Sequence, residues 1–151
     1  MRLLQPDDWQ AFRQVRLAAL KEAPYAFGSK FEAEVGASEE SWRRRISDWT
    51  RFAAEADGQV VGTVGVGRGE FTGTAALTSL WVDPHFRGRG VGTELIEAVV
   101  QWAKDRDLSR VLLWVTEGNH HAERLYLRSG FVRTGGEIDE PLREFEMSRL
   151  I

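Results

Sequence analysis

The chain has 151 residues, 42% apolar and 28% charged, with a net charge of -3 at pH 7 and no cysteine. This is enough chain to bury a sizeable core in a single domain spanning 1–151, and no excess positive charge draws it toward nucleic acid. The lack of cysteine excludes disulfides, thiolate metal sites and a covalent cysteine intermediate. The opening MRLLQPDDWQ has no signal-peptide core and no apolar run approaches membrane-spanning length, so the expectation is a cytoplasmic protein with no membrane partner.

In chain order, MRLLQ predicts a short strand closed by Pro6, and Asp7 or Asp8 offers an N-cap to a helix over WQAFRQVRLAALKEA. Phe12, Val15, Leu17, Ala19 and Leu20 give that helix a loose apolar stripe. PYAFGS reads as a loop, and SEESWRRRISDW as a second helix with a capping-box start at Ser38 and Ser41 as a competing start. RFAAEADGQVVGTVGVG places two strand-like runs around Asp57-Gly58, a hairpin signal. Gly62, Gly65 and Gly67 either weaken the second run or let something approach its backbone closely.

AALTSLWV is apolar on both faces apart from Thr78 and Ser79, the pattern of a central strand. Over residues 90–107 the spacing of Val91, Leu95, Val99, Trp102 and Ala103 predicts a helix. RVLLWVT is a buried strand, and NHHAERLYLRSG a short helix between an N-cap at Asn119 and a stop at Gly130. FVRTGG and LREFEMSRLI finish as strands, the last with Phe145, Met147 and Ile151 on one face. One strand, two helices, three strands, helix, strand, helix and two strands make a mixed α/β architecture. Residues 75–116 form a β-α-β unit, whose two strands should be parallel and joined right-handedly.

Arg87-Gly88-Arg89-Gly90-Val91-Gly92 stands between the central strand and the helix. A turn that leaves a strand and opens a helix offers free N–H groups at the positive end of the helix dipole. Three glycines leave that approach clear and two arginines add charge, which suits a phosphate or pyrophosphate; the plain alternative is a Gly-rich connector with solvated arginines. The P-loop pattern is absent, and the dinucleotide pattern fails because Thr93 stands where its third glycine should be.

The pattern present is R-x-x-G-x-G after LWVDP, followed by N-x-x-A-x-x-L-Y-x-x-x-G-F from Asn119 to Phe131. In these two motifs, and in the order of its elements, the chain resembles the GNAT superfamily of N-acetyltransferases. The resemblance implies an α/β (α+β) fold with a mixed, mostly antiparallel central sheet, helices on both faces and one parallel pair splayed apart. It implies acetyl-CoA as cosubstrate, with its pyrophosphate held at Arg87, Gly88, Arg89, Gly90, Val91, Gly92 and Thr93. The pantetheine arm would lie in the splay and pair with main chain at Leu80 and Val82, with Asn119 beside it, and a homodimer would be in keeping with the family.

The implied reaction is acetyl transfer to a primary amine by direct attack in a ternary complex. A lysine-like amine, with a pKa of roughly 10.4, must lose a proton before it attacks. The carbonyl oxygen needs donors, for which the resemblance offers the N–H of Trp81 or Val82, and Tyr126 matches the acid that protonates the departing thiolate. Some relatives carry a Glu on the strand before the Asn; here that position is Trp114. Glu32 is therefore the first candidate base with Glu34 in reserve, Glu117 and a chain of waters are the alternatives, and Trp81 and Trp114 flank the gap where an acceptor would sit.

Adjacent His120 and His121 point apart on a helix, so no metal site is expected. No G-x-S-x-G elbow occurs, and WRRRI reads as a solvated helix face. Two other classes stay open at this point: a non-catalytic acyl-CoA-binding sensor or partner module, and a nucleotide-binding regulatory domain.

Overall fold

The computed structural model describes residues 1–27 and 30–151, with Tyr25 described by its backbone alone. Gly28 and Ser29, the end of the expected PYAFGS loop, lie outside the described residues. The elements are β1 (Arg2–Leu3), α1 (Trp9–Glu22), α2 (Phe31–Glu34), α3 (Glu39–Asp48), β2 (Thr50–Ala56), β3 (Gln59–Arg68), β4 (Thr74–Val82), α4 (Val91–Lys104), β5 (Arg110–Thr116), α5 (His120–Arg128), β6 (Val132–Ile138) and β7 (Glu144–Leu150). The strands form one seven-stranded sheet in the order β1-β2-β3-β4-β5-β7-β6. Every pairing is antiparallel except β4 with β5, the mixed sheet expected. No helix among the described residues is long and apolar enough to cross a membrane.

Alternation along the strands builds two cores. Ala53 and Trp81 pack with α1 and α3 through Phe12, Leu20, Trp42 and Ile46. Their neighbours Ala54 and Val82 pack with α4 through Leu95, Ile96, Val99 and Ala103. Successive strand residues point to opposite faces, so α1 and α3 cover one face and α4 the other. The three glycines of β3 follow from close neighbours. A Cβ on Gly62 would lie 3.1 Å from Leu95 Cδ1, one on Gly65 would lie 2.9 Å from Arg51 Nη1, and one on Gly67 would lie 3.0 Å from the Trp49 ring. Gly62 admits a side chain of α4 and Gly67 the ring that follows α3, whereas Gly65 admits side chains of the adjoining strands β2 and β4.

The hairpin turn forms as expected, with Asp57 and Gly58 at φ 52° and 77°, the left-handed pair that a two-residue turn requires. Helix starts differ from expectation in two places. A 3-10 turn at Pro6–Asp8 precedes α1, and neither aspartate caps it: Asp8 instead accepts from the Gln5 N–H at 2.8 Å and pairs with Arg2. At α3, Ser38 accepts from the Ser41 N–H at 3.1 Å, but the reciprocal half of a capping box needs a Glu or Gln where Ser41 stands. The single turn of α2 was not expected; four residues are too few to display a helical period.

Two irregularities shape the middle of the sheet. β4 and β5 pair at Thr74–Arg110, Ala75–Val111 and Ala76–Leu112 and then part. Beside this, Gly65 faces Thr78 and Thr63 faces Trp81, so β3 has one residue where β4 has two. This is a β-bulge at Ser79 and Leu80, with Ser79 at φ 54°. It shifts the alternation by one residue, which carries Trp81 onto the α1 side and Val82 onto the α4 side.

Candidate functional site

Where β4 and β5 part, a gap of about 480 Å³ opens, lined by Thr78, Ser79 and Leu80 of β4, Trp114 and Val115 of β5, and Asn119, Ala122 and Tyr126 of α5. Arg16, Phe27 and Trp49 close it from the α1 side, and Glu144 of β7 closes it beyond β5. A narrow passage of about 70 Å³ shares Leu80 and Asn119 with this gap, and Val82, Arg87 and His121 with a third cavity. That third cavity, about 310 Å³, is the mouth of α4, bounded by Arg87, Gly88, Gly90, Val91, Gly92 and Thr93 and, from α5, by His121, Leu125 and Arg128. The Arg-Gly turn and the gap are thus two ends of one path.

The glycines of the turn act in two ways. Gly88 and Gly90 have φ 76° and 84°, and a Cβ on either would meet nothing within 4 Å. They turn the chain left-handedly and leave the cavity open. Gly92 instead lets α5 approach, since a Cβ there would lie 2.7 Å from Leu125 Cδ2. Gly90 caps α4 without a side chain, so the first-turn N–H groups meet no capping oxygen and remain available to an anion.

The two arginines of the turn have prior partners. Arg87 donates through Nε to the Val82 carbonyl at 2.9 Å, and through Nη1 and Nη2 to Glu22 at 3.1 and 2.9 Å. Arg89 lies over the Phe86 ring, 5.3 Å from its centroid. The cationic side chain that joins Arg87 at the cavity is Arg128, which the sequence reading did not single out. It lies seven residues after His121, two turns along one helix face, a spacing readable only once that face is known to meet the turn.

Tyr126 is 6% exposed. The end of α5 fixes it: the Phe131 N–H returns to the Tyr126 carbonyl at 3.0 Å, and the two rings meet edge-to-face at 5.9 Å. Among the described residues its hydroxyl has no hydrogen-bond partner, although the ring lines the gap. Burial pushes the phenol well above its ordinary pKa, so it stays a proton donor at neutral pH. Asn119 caps α5 through a long bond from the Ala122 N–H, 3.4 Å, and also lines the gap. Burial, and then Arg87, Arg124 and Arg128, lower the pKa of His121 from its ordinary value.

The candidate bases fall in different places. Glu34, 5% exposed, is gripped by Arg16 at 3.0 Å through both oxygens and by Arg45 at 2.7 Å. Glu32 lines a neighbouring cavity of about 740 Å³ bounded by Leu20, Phe31, Pro141 and Leu142, which shares Phe27 with the gap. Glu117 is exposed, and its N–H donates to the Arg143 carbonyl at 2.8 Å. The carboxylate in the gap wall itself is Glu144, which pairs with Thr116 across β5 and β7. Burial raises its pKa. Of the two tryptophans expected to flank the gap, Trp114 lines it and is 41% exposed. Trp81 turns its indole into the α1 core and donates to Glu22 at 2.9 Å. No cluster of metal-ligating side chains occurs among the described residues.

Beside an uncharacterised N-acetyltransferase of Methanocaldococcus jannaschii, the chain is 36% identical over 95 residues, 60% of its own length and 42% of that protein's. It is 36% identical to the N-acetylaspartate synthetase of Danio rerio over 91 residues, 60% of this chain and 32% of that one. The chain thus spans less than half the length of these two relatives. An acetyltransferase structure from Salmonella typhimurium, solved with its cofactor acetyl-CoA, superposes with a TM-score of 0.77 at 18% identity over 99% of this chain and 91% of that one; at that identity the likeness is one of fold. Residues 12–131 match the family described as the acetyltransferase (GNAT) family, and the match takes in both the Arg-Gly turn and the helix that carries Tyr126. The chain belongs to the GNAT family.

Proposed function

We propose that this chain, acting as one catalytic unit, moves an acetyl group from acetyl-CoA to a primary amine by direct attack in a ternary complex. The observation that carries this reading is Tyr126: a buried, protonated phenol with no hydrogen-bond partner among the described residues, in the gap where two parallel strands part. The names of the relatives as N-acetyltransferases and the acetyl-CoA in the Salmonella structure support the choice of cosubstrate.

The cavities fit that cosubstrate. Open space over Gly88 and Gly90, the uncapped first turn of α4, Arg87 and Arg128 would hold a pyrophosphate. The passage past Leu80 and Asn119 would take the arm into the gap. Beyond Ala76 the main chain of β4 has no partner in β5, and buried unpaired N–H and C=O groups are costly, so an arm bearing amides satisfies them. The Val82 carbonyl already accepts from Arg87, which leaves Leu80 the freer of the two positions expected to pair.

In the transfer, the amine nitrogen forms a bond to the thioester carbon as the carbon–sulfur bond breaks. Tyr126 gives its proton to the leaving sulfur. The proton shed by the amine goes to a carboxylate, and Glu144 is better suited to this than Glu32 or Glu34. It borders the gap itself, and its raised pKa brings it nearer the working pH of a general base. Glu34 already neutralises two arginines, and Glu32 lies in the next cavity.

The test is thiol release from acetyl-CoA over a panel of amines, run with the parent and Tyr126→Phe. Amine-dependent release that collapses in the variant supports the reading. Binding of acetyl-CoA with no amine-dependent release overturns it and leaves an acyl-CoA-binding module.

A further inference from the structure

The α1 side of the gap carries more positive charge than its neighbours neutralise. Arg16, Arg45 and Arg51 surround Glu34, and both oxygens of Glu34 accept from Arg16, one of them also from Arg45. Arg51 is left over. Among the described residues its hydrogen bonding is one long contact, Nε to the Arg45 carbonyl at 3.5 Å, beyond the usual range for a good bond. Its guanidinium lies 4.9 Å from the Phe12 ring centroid, and burial, with Arg16 and Arg45 nearby, pushes its pKa down to about 10. Glu34 offsets this only in part, because it already accepts from Arg16 and Arg45, and a largely buried guanidinium that shares one carboxylate with two other arginines is costly.

Its location connects it to the site. Arg51 Nη1 and Thr78 Cγ2 lie 2.9 and 2.8 Å from the point where a Cβ on Gly65 would stand. Thr78 is a wall of the gap, and so is Arg16. Had β3 carried a side chain at Gly65, Arg51 could not reach this position. The opposite wall holds Glu144. Arg51 thus stands behind the wall at Thr78 and beside Arg16 as a cation with only a shared partner, and the other side of the gap presents a carboxylate.

We propose that the acceptor is an amine that also bears a carboxylate, its carboxylate bound by Arg51 and Arg16 and its amine turned toward Glu144. This rests on the acetyltransferase reading above and names the class of its second substrate. A planar guanidinium pairs with a carboxylate through two parallel N–H bonds. A site built around an unpaired buried donor rejects the analogue that lacks the acceptor. Free amino acids, and small amines with an acid group a few bonds from the nitrogen, are the chemistry that fits.

The probes are amino acids, each paired with the amine left when its carboxyl group is removed. Binding to the CoA-saturated protein is read by calorimetry and turnover by thiol release. The amino acid of at least one pair should bind about tenfold or more tighter than its decarboxylated partner and be turned over with the higher kcat/KM. In Arg51→Met that ratio should fall to about one, and Arg51→Lys should restore part of it. Equal binding of both members in every pair overturns the proposal, as does a ratio that survives in folded Arg51→Met. Amino acids that bind with the stated preference but are never acetylated would uphold the carboxylate site and overturn the acetyltransferase reading instead.

Discussion

Glu22 and Arg87, 65 positions apart, form a two-point ion pair of 3.1 and 2.9 Å that joins the end of α1 to the Arg-Gly turn. The same carboxylate accepts from the Trp81 indole at 2.9 Å, and Arg87 reaches on to the Val82 carbonyl at 2.9 Å. One acid thus fixes the helix, the end of β4 and the entrance of α4 together. Glu22→Ala should cost roughly 1–2 kcal/mol, since the buried Trp81 indole loses its acceptor and the partly exposed Arg87 loses an ion pair, and should weaken acetyl-CoA binding as Arg87 loosens. Burial pushes the Glu22 pKa up, but the bonds from Arg87 and Trp81 outweigh it and leave the value below its ordinary 4.5. A lowered folded pKa contributes stability that is present above about pH 4.5 and lost as pH falls through the folded value. Urea unfolding of parent and variant across that window should find the two curves converging on the acid side.

Tyr126→Phe removes a hydroxyl with no hydrogen-bond partner among the described residues. Turnover should fall roughly 10²–10⁴-fold, the range for a general acid, with acetyl-CoA affinity within a few-fold and the melting temperature unchanged. Single-turnover kinetics with calorimetry checks this. A lower melting temperature with intact rate would assign the ring to packing alone.

Glu144→Gln should lower the rate most near neutral pH. The defect should shrink as pH approaches the acceptor's own pKa, where free amine is abundant. Glu32→Gln, in the neighbouring cavity, should track the parent at every pH. Stability should move the other way. Burial raises the folded pKa of Glu144 above its ordinary 4.5, so the folded state holds the proton more tightly and the parent loses stability as pH rises through that interval. The Gln variant lacks this loss and should be at least as stable as the parent at pH 7. Thermal melts at pH 4 and pH 7 measure it.

Gly90→Ala and Gly90→Asp share the strain of a side chain at φ 84°, so their difference isolates charge. Asp should weaken acetyl-CoA binding about tenfold more than Ala, because its carboxylate enters the space proposed for the pyrophosphate. Calorimetric titration of both folded variants decides it, and equal affinities would remove the pyrophosphate from this turn.

The parts of the fold written in short-range patterns were legible. The Asp57-Gly58 hairpin, the spacing of Val91, Leu95 and Val99, and the glycine alternation at the mouth of α4 each need only a few neighbouring residues. What escaped depends on distant partners. Glu144 reaches the gap because β7 inserts between β5 and β6, which no local pattern encodes. Glu34 is buried because Arg16, 18 positions earlier, meets it. The bulge at Ser79 carries no glycine to announce it, yet it decides which side Trp81 faces.

The parting of β4 and β5 has a bearing on self-association. Unpaired strand edges invite pairing with other chains, and proteins usually blunt them. The outermost strands here are blunted in familiar ways: β1 has two residues, and β6 is broken by a register shift between Arg133 and Glu137 and displays charge. The two inner edges are guarded differently. They face each other across a space of about 480 Å³, with Phe27 on one side and Asn119, Ala122 and Tyr126 on another. A strand from another protein, with side chains on both faces, cannot thread between them, whereas a thin flexible arm can. The sheet therefore keeps open backbone inside itself without offering a template for aggregation.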